Sequence, residues 1–314
     1  MIAVHAAIVL CLFFLIFSCG KEEGPVTSPP PPAQYDTLSA GWQKIKLDSN
    51  LRLTDIFFVN SQIGYVCGDL YLAKSVDGGK TWHKVNLPDS MTGFFPNLYF
   101  IDAINGWVVS DEFILKTTNG GSTWTKVRVL DHPKDIQFLN SQTGFLIGLN
   151  ALYKSTDGGL KWSQVGPNIN RPYGLFFLDE QLGWVNRETE ILKTTNGGLN
   201  FDAKSVAIPE AMYFVQFTDA AHGWSSGREH WKTIDGGTNW EKLTIIGQGD
   251  VHYFDANNGF LSAGPNIYKT SDGGKTLSKL ATVHESDLVE IHFTDPNHGW
   301  ACGSNGGIYR YEKL

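Results

Sequence analysis

Three features of this sequence predict an all-β, seven-bladed propeller with four antiparallel strands in each blade. A hairpin motif built on Asp/Asn-Gly-Gly occurs six times with a period near 40 residues, and a Gly-aromatic pair occurs seven times in step with it. A lone copy of the strand that follows the hairpin stands ahead of the first repeat, in "GWQKIKL", Gly41 to Leu47. Self-similarity at this period, with strand-like flanks, marks a propeller or a solenoid.

Residues 1–18 form an apolar run of signal-peptide type, although the only basic side chain ahead of the run is His5. Ile16-Phe17-Ser18-Cys19 resembles a bacterial lipobox, which implies acylation of Cys19 and a membrane attachment made by lipid alone. An uncleaved N-terminal membrane helix is the alternative, and either anchor holds the domain outside the cytoplasm. Gly20-Lys21-Glu22-Glu23 resembles the sorting signal of surface lipoproteins in the Bacteroidetes, which implies the outer membrane and display at the cell surface. Residues 19–40, rich in Pro and small polar residues, cannot build a core and read as a semi-rigid tether.

The domain expected over 41–314 begins with the repeats. The acid or amide of the hairpin stands at Asp77, Asn119, Asp157, Asn196, Asp235 and Asp272, at intervals of 42, 38, 39, 39 and 37 residues. The Gly-aromatic pairs are Gly64-Tyr65, Gly106-Trp107, Gly144-Phe145, Gly183-Trp184, Gly223-Trp224, Gly259-Phe260 and Gly299-Trp300. Another aromatic stands six residues before each glycine, and an Asn or Asp four before it. Each unit therefore reads as an apolar strand, an Asn/Asp turn, a Gly-aromatic strand, a third strand ending in Lys-Ser/Thr, and a Gly-Gly hairpin into a fourth strand. The seventh unit stops at "GGIYRYEKL", before its fourth strand, and residues 41–47 carry the missing one with Trp42 in the place of Trp82. Closing the ring with that strand removes open sheet edges, and residues 42–314 then divide into 39 per blade.

In such a hairpin the acid or amide accepts bonds from turn N–H groups, the glycines supply positive φ and the tryptophan packs between sheets. The motif is structural, and it resembles the Asp-box, or BNR repeat, of sialidases and related propellers. A sialidase would need an arginine cluster, a tyrosine nucleophile and an acid. The six arginines, Arg52, Arg128, Arg171, Arg187, Arg228 and Arg310, include none in that family's Arg-Ile-Pro motif. The repeats "GWVVSDEFILKTTNGGSTWTKV" and "GFLIGLNALYKSTDGGLKWSQV" are most similar to the photosystem II stability and assembly-factor family of seven-bladed propellers. That resemblance implies a non-enzymatic binding or assembly role. A propeller carries many activities, so function must come from the site.

A net charge of −7 gives no footprint for a polyanion, and nucleic acid is excluded as a partner. The nine histidines show no metal-ligand spacing and the glycines form no phosphate loop, so no metal, cofactor or catalytic residue is expected. Non-repetitive residues gather in the loops of one face: Arg171, Tyr173, Arg187, Glu188, Arg228, Glu229 and His230 in blades four and five, and Phe94 and Phe95 in the long connection into blade two, which also carries Met91. These are the candidate partner-binding residues. Asp55, Asp135, Asp250 and Glu290, nine residues before their glycines, are expected to ring the channel mouth. The expected function is a lipid-anchored, extracytoplasmic, monomeric propeller that binds a protein or glycan. The alternative is a glycoside hydrolase of the sialidase-like superfold, using a carboxylate pair from different blades.

Overall fold

The computed structural model describes residues 35–38, 41–47, 51–69, 71–88, 94–129, 131–202, 212–283 and 288–313. The signal segment, Cys19, most of the tether and Met91 lie outside these residues. Residues 33–314 form one compact unit, and every regular element among the described residues is a strand.

The strands form seven antiparallel sheets, each a meander from an inner to an outer strand. Blade two is typical: Leu98–Phe100, Gly106–Val109, Phe113–Thr117 and Thr125–Arg128. The inner strand of every blade touches that of the next, and Leu288–Asp295 of blade seven touches Leu53–Phe58 of blade one, so the ring is closed. The latch strand, Trp42–Lys46, pairs with Gly307–Glu312 as the fourth strand of blade seven, Trp42 opposite Tyr311. Two blades depart from four strands. Tyr35–Thr37, within the stretch read as tether, adds a fifth strand on the outer edge of the latch. In blade four the described residues have three strands, beyond which only Asp202 bridges to Lys193.

One stacked aromatic pair joins each blade to the next. The ring of the Gly-aromatic residue lies on the inner-strand aromatic of the following blade, Trp300 on Phe58, Tyr65 on Phe100, Trp107 on Phe138 and so on around all seven junctions, with centroids 3.5 to 3.9 Å apart. Buried pairs of this kind contribute about 0.5–1.5 kcal/mol each beyond their area. The glycine beside each aromatic is required by the same packing: Phe58 lies across its cross-strand partner Gly64, where a Cβ would meet the ring at 2.5 Å. Trp107, Trp184 and Trp300 also donate Nε1–H to a hairpin glycine carbonyl of the next blade, at 2.9 to 3.1 Å.

The hairpins brace this packing. Asp77, Asn119, Asp157, Asn196, Asp235 and Asp272 each accept, through Oδ1, the backbone N–H four residues on, at 2.9 Å. The hydroxyl two residues earlier, Ser75 in the first hairpin, donates to the same oxygen and accepts the N–H of Gly79. Gly78 and Gly79 have φ of 76° and 83°, a region that L side chains enter only with strain. Bonds from Thr276 hold the Asp272 carboxyl down to about 2, so it stays an acceptor at any physiological pH. Cys67 and Cys302 are buried free thiols.

Candidate functional site

The hairpins join third to fourth strands, so the meander places them on the face where inner strands end. The loops between strands two and three, and between blades, fall on the opposite face, where inner strands begin. There a central channel of about 700 Å3 opens.

Deep in the channel, the residue just before each inner-strand aromatic lines the wall: Phe57, Tyr99, Gln137, Phe176, Gln216, His252 and His292. Several of these are inter-blade ties. Gln137 donates to the carbonyl of Phe177 at 3.0 Å and accepts its N–H at 2.7 Å, and Gln216 does the same with Tyr253 at 3.2 and 2.7 Å. His292 Nε2 donates to the Phe58 carbonyl at 2.9 Å, across the junction of blades seven and one. Burial holds His292 neutral, pushed down to about 4. Burial and the neighbouring His292 push His252 to about 3.

The four acids also lie in the channel wall rather than free at its rim. Asp55 Oδ2 accepts the Leu98 N–H of the next blade at 2.7 Å, Asp135 Oδ2 that of Leu175 at 2.9 Å, and Asp250 Oδ2 that of Ile291 at 3.2 Å. Burial outweighs these bonds and raises all three carboxyls to about 7. Glu290 is raised well above the ordinary glutamate value, by burial and then by Asp250 and Asp55. Among the described residues, no group of three or more His, Cys, Asp or Glu side chains is placed to hold a metal ion.

The rim is different in chemistry. The Arg52 guanidinium lies 5.6 Å over the Phe94 ring. Lys134 Nζ donates to the Pro172 carbonyl at 3.2 Å and sits 5.2 Å over Tyr173, which meets Tyr213 edge-on at 5.5 Å. Partial burial lowers Lys134 from its ordinary value, and the adjacent positive charge of Arg171 adds to that. Asp111 and His132 complete the rim. His132, Asn170, Arg171 and Glu188 have φ of 43 to 56°, and all four belong to loops of this face. Such non-glycine residues carry backbone strain that the surroundings must hold.

Of the nine candidate partner residues, the structure brings Phe94 and Tyr173 to this rim, and Arg171 stands near enough to Lys134 for its charge to act there. Arg187 and Glu188 line a separate pocket of about 340 Å3, where Arg187 donates to the Ile169 carbonyl at 3.1 Å and pairs with Glu190. Arg228 is exposed, and Glu229 pairs with Lys242. Two candidates are corrected. His230 is wholly buried, its Nε2 on the Ser262 carbonyl at 2.9 Å, because strand alternation turns it toward blade six. Phe95 is 1% exposed, because its ring packs in a core shared by Cys67 and Leu72 of blade one and Leu98 and Phe100 of blade two. Arg52, Lys134 and Tyr213 escaped the sequence reading, since each lies beside a strand start where no repeat position is marked. The two cavities carry one arginine each, Arg52 and Arg187, so neither holds a sialidase-type cluster.

Residues 35–134 match the family model of the photosynthesis system II assembly factor YCF48. No curated protein matches the chain. Among solved structures, YCF48 bound to D1 peptide superposes with a TM-score of 0.76 at 23% identity, covering 90% of this chain and 99% of that one. YCF48 from Cyanidioschyzon merolae gives 0.75 at 18% identity over 87% of this chain and 99% of that one. The GH74 enzyme of Niastella koreensis gives 0.69 at 16% identity, and this chain spans 87% of its own length but 53% of the enzyme's. The chain is a BNR-repeat propeller of YCF48-like architecture.

Proposed function

We propose that this protein is a lipid-anchored, extracytoplasmic binding module that holds a segment of a protein partner at the channel mouth. The observation that carries the reading is the rim itself. Phe94, Tyr173 and Tyr213 present aromatic faces and edges, Arg52 and Lys134 lie over two of these rings and add positive charge, and the Tyr173–Tyr213 contact ties blades four and five at the mouth. The family match over residues 35–134 and the fold shared with a propeller that binds a peptide support a protein partner over a glycan.

The hydrolase alternative finds less support. A glycosidase needs one carboxyl free to protonate the leaving group and a second about 5–10 Å away. Asp55, Asp135 and Asp250 each hold a backbone N–H of a neighbouring blade through Oδ2.

Affinity capture from the native cell envelope tests the proposal. Phe94→Ala/Tyr173→Ala is expected to lose the captured protein, with Arg187→Ala/Arg228→Ala retaining most of it. Equal capture by all three forms would remove the mouth from consideration, and elution by oligosaccharide would favour a glycan. Anchoring is tested by fatty-acid labelling, expected in the wild type and absent in Cys19→Ala; label persisting in the variant contradicts it.

A further inference from the structure

On the reading that the mouth holds a protein segment, we propose that the deep channel is the receptor for one neutral aromatic side chain of that segment, inserted from the mouth and seated against an arc of rings. The arc is set by strand alternation. In every blade the two strand neighbours of the deep wall residue are buried in blade packing, as Ile56 and Phe58 are in blade one, whereas the wall residue itself is partly exposed to the channel. Packing thus fixes the neighbours and leaves the wall position free to vary.

Four consecutive blades place a ring at that position: His252 of blade six, His292 of seven, Phe57 of one and Tyr99 of two. Their centroids follow one another at 5.3, 4.4 and 5.4 Å, with interplanar angles of 70°, 42° and 52°, so the rings meet tilted or edge-on rather than stacked. A further ring adds to such a series by the same edge-to-face geometry, at centroid separations of about 4.5–7 Å. The wall is held ready for it, since His292 is tied to the Phe58 carbonyl and Gln137 and Gln216 to the blades that follow theirs. The cavity of about 700 Å3 is of the size that small-molecule sites take, and it runs without a break from the rim to the arc.

Charge selects among occupants. Two residues earlier on the inner strands, nearer the mouth, stand Asp55, Asp135, Asp250 and Glu290. The cations of the cavity wall, Arg52 and Lys134, are at the rim, so an acidic side chain passing this layer meets like charge. A basic side chain would be attracted, yet it would have to shed its water with few oxygens to replace it. Asp55 and Asp250 are only 5% and 4% exposed, and each already accepts a backbone N–H. A neutral ring meets neither cost.

Ligand-observed NMR on the full chain tests the receptor, with indole as the probe. Indole is expected to bind saturably, with Overhauser contacts to the imidazole protons of His252 and His292. Phe57→Leu and, independently, Tyr99→Leu should weaken it about two- to tenfold. Cyclohexanol, indole-3-acetate and methylguanidinium should all bind more weakly than indole, and saturating indole should release the protein captured from the native envelope. No saturable indole binding, any of the three other probes binding as tightly, or full indole affinity in both folded variants would overturn the receptor. Indole seated in the channel without releasing a protein held through Phe94 and Tyr173 would overturn the occupant and leave the mouth reading standing. Capture unchanged in Phe94→Ala/Tyr173→Ala would remove the mouth reading and the occupant with it, whatever indole does. Should neither leucine variant fold, the wild-type contacts and the competition decide.

Discussion

His230 stands where the other blades place Leu72, Ile114, Leu152, Ile191, Ile267 and Ile308, two residues before the lysine or arginine near the end of the third strand (Lys232 in blade five), and all of these are buried. The repeat alignment thus contained the signal that it belongs to the core. Its neighbours Arg228 and Glu229 made the trio read as surface, because charge in a short loop usually means solvent. In the structure burial holds the ring neutral, pushed down to about 4, and leaves Nδ1 without a partner. A histidine lowered in the fold contributes stability above its ordinary 6.5 and loses it as pH falls toward 4. His230→Leu should therefore extend folding to lower pH with little change at neutrality, measured by acid unfolding followed through tryptophan fluorescence. An unshifted acid midpoint would mean that the imidazole is not buried neutral. Asp55, Asp135 and Asp250 were misread for a related reason. An acid at a strand start looks solvated in sequence, and only a neighbouring blade about 40 residues away reveals the N–H that it accepts.

At the scale of elements, the latch was legible because it is a remainder: seven Gly-aromatic strands against six hairpins left one fourth strand to be found, and Trp42 marked it. Its indole meets Phe293 edge-on at 6.1 Å and 80°, as Trp82 meets Phe58 at 5.7 Å and 88°. Unlike Trp82, Trp42 is wholly buried, between the inner strand of blade seven and Tyr311. Trp42→Ala should cost about 3–5 kcal/mol in denaturant unfolding and more than Trp82→Ala. Equal, small losses at both would mean that the latch strand does not carry closure. The fifth strand, Tyr35–Thr37, had no such signal. Three residues beside a Pro-rich segment show no alternation, and their pairing depends on the free edge that the latch offers.

Across the whole molecule, periodic information specified the ring and aperiodic information specified the site, and these differ in how far a sequence can disclose them. Each blade repeats the same packing problem, so seven solutions checked one another. The rim repeats nothing: it takes Arg52 and Phe94 from the approaches to blades one and two, Lys134 from blade three, Tyr173 from four and Tyr213 from five. Ring curvature brings them together, and no spacing encodes that meeting. The most direct test of the account is photo-crosslinking in the native envelope, with a benzophenone amino acid at position 173 on the rim or at position 199 on the hairpin face, where Leu199 is 60% exposed. A protein adduct from 173 and none from 199 is the result expected; an adduct from 199 alone would contradict a partner held at the channel mouth.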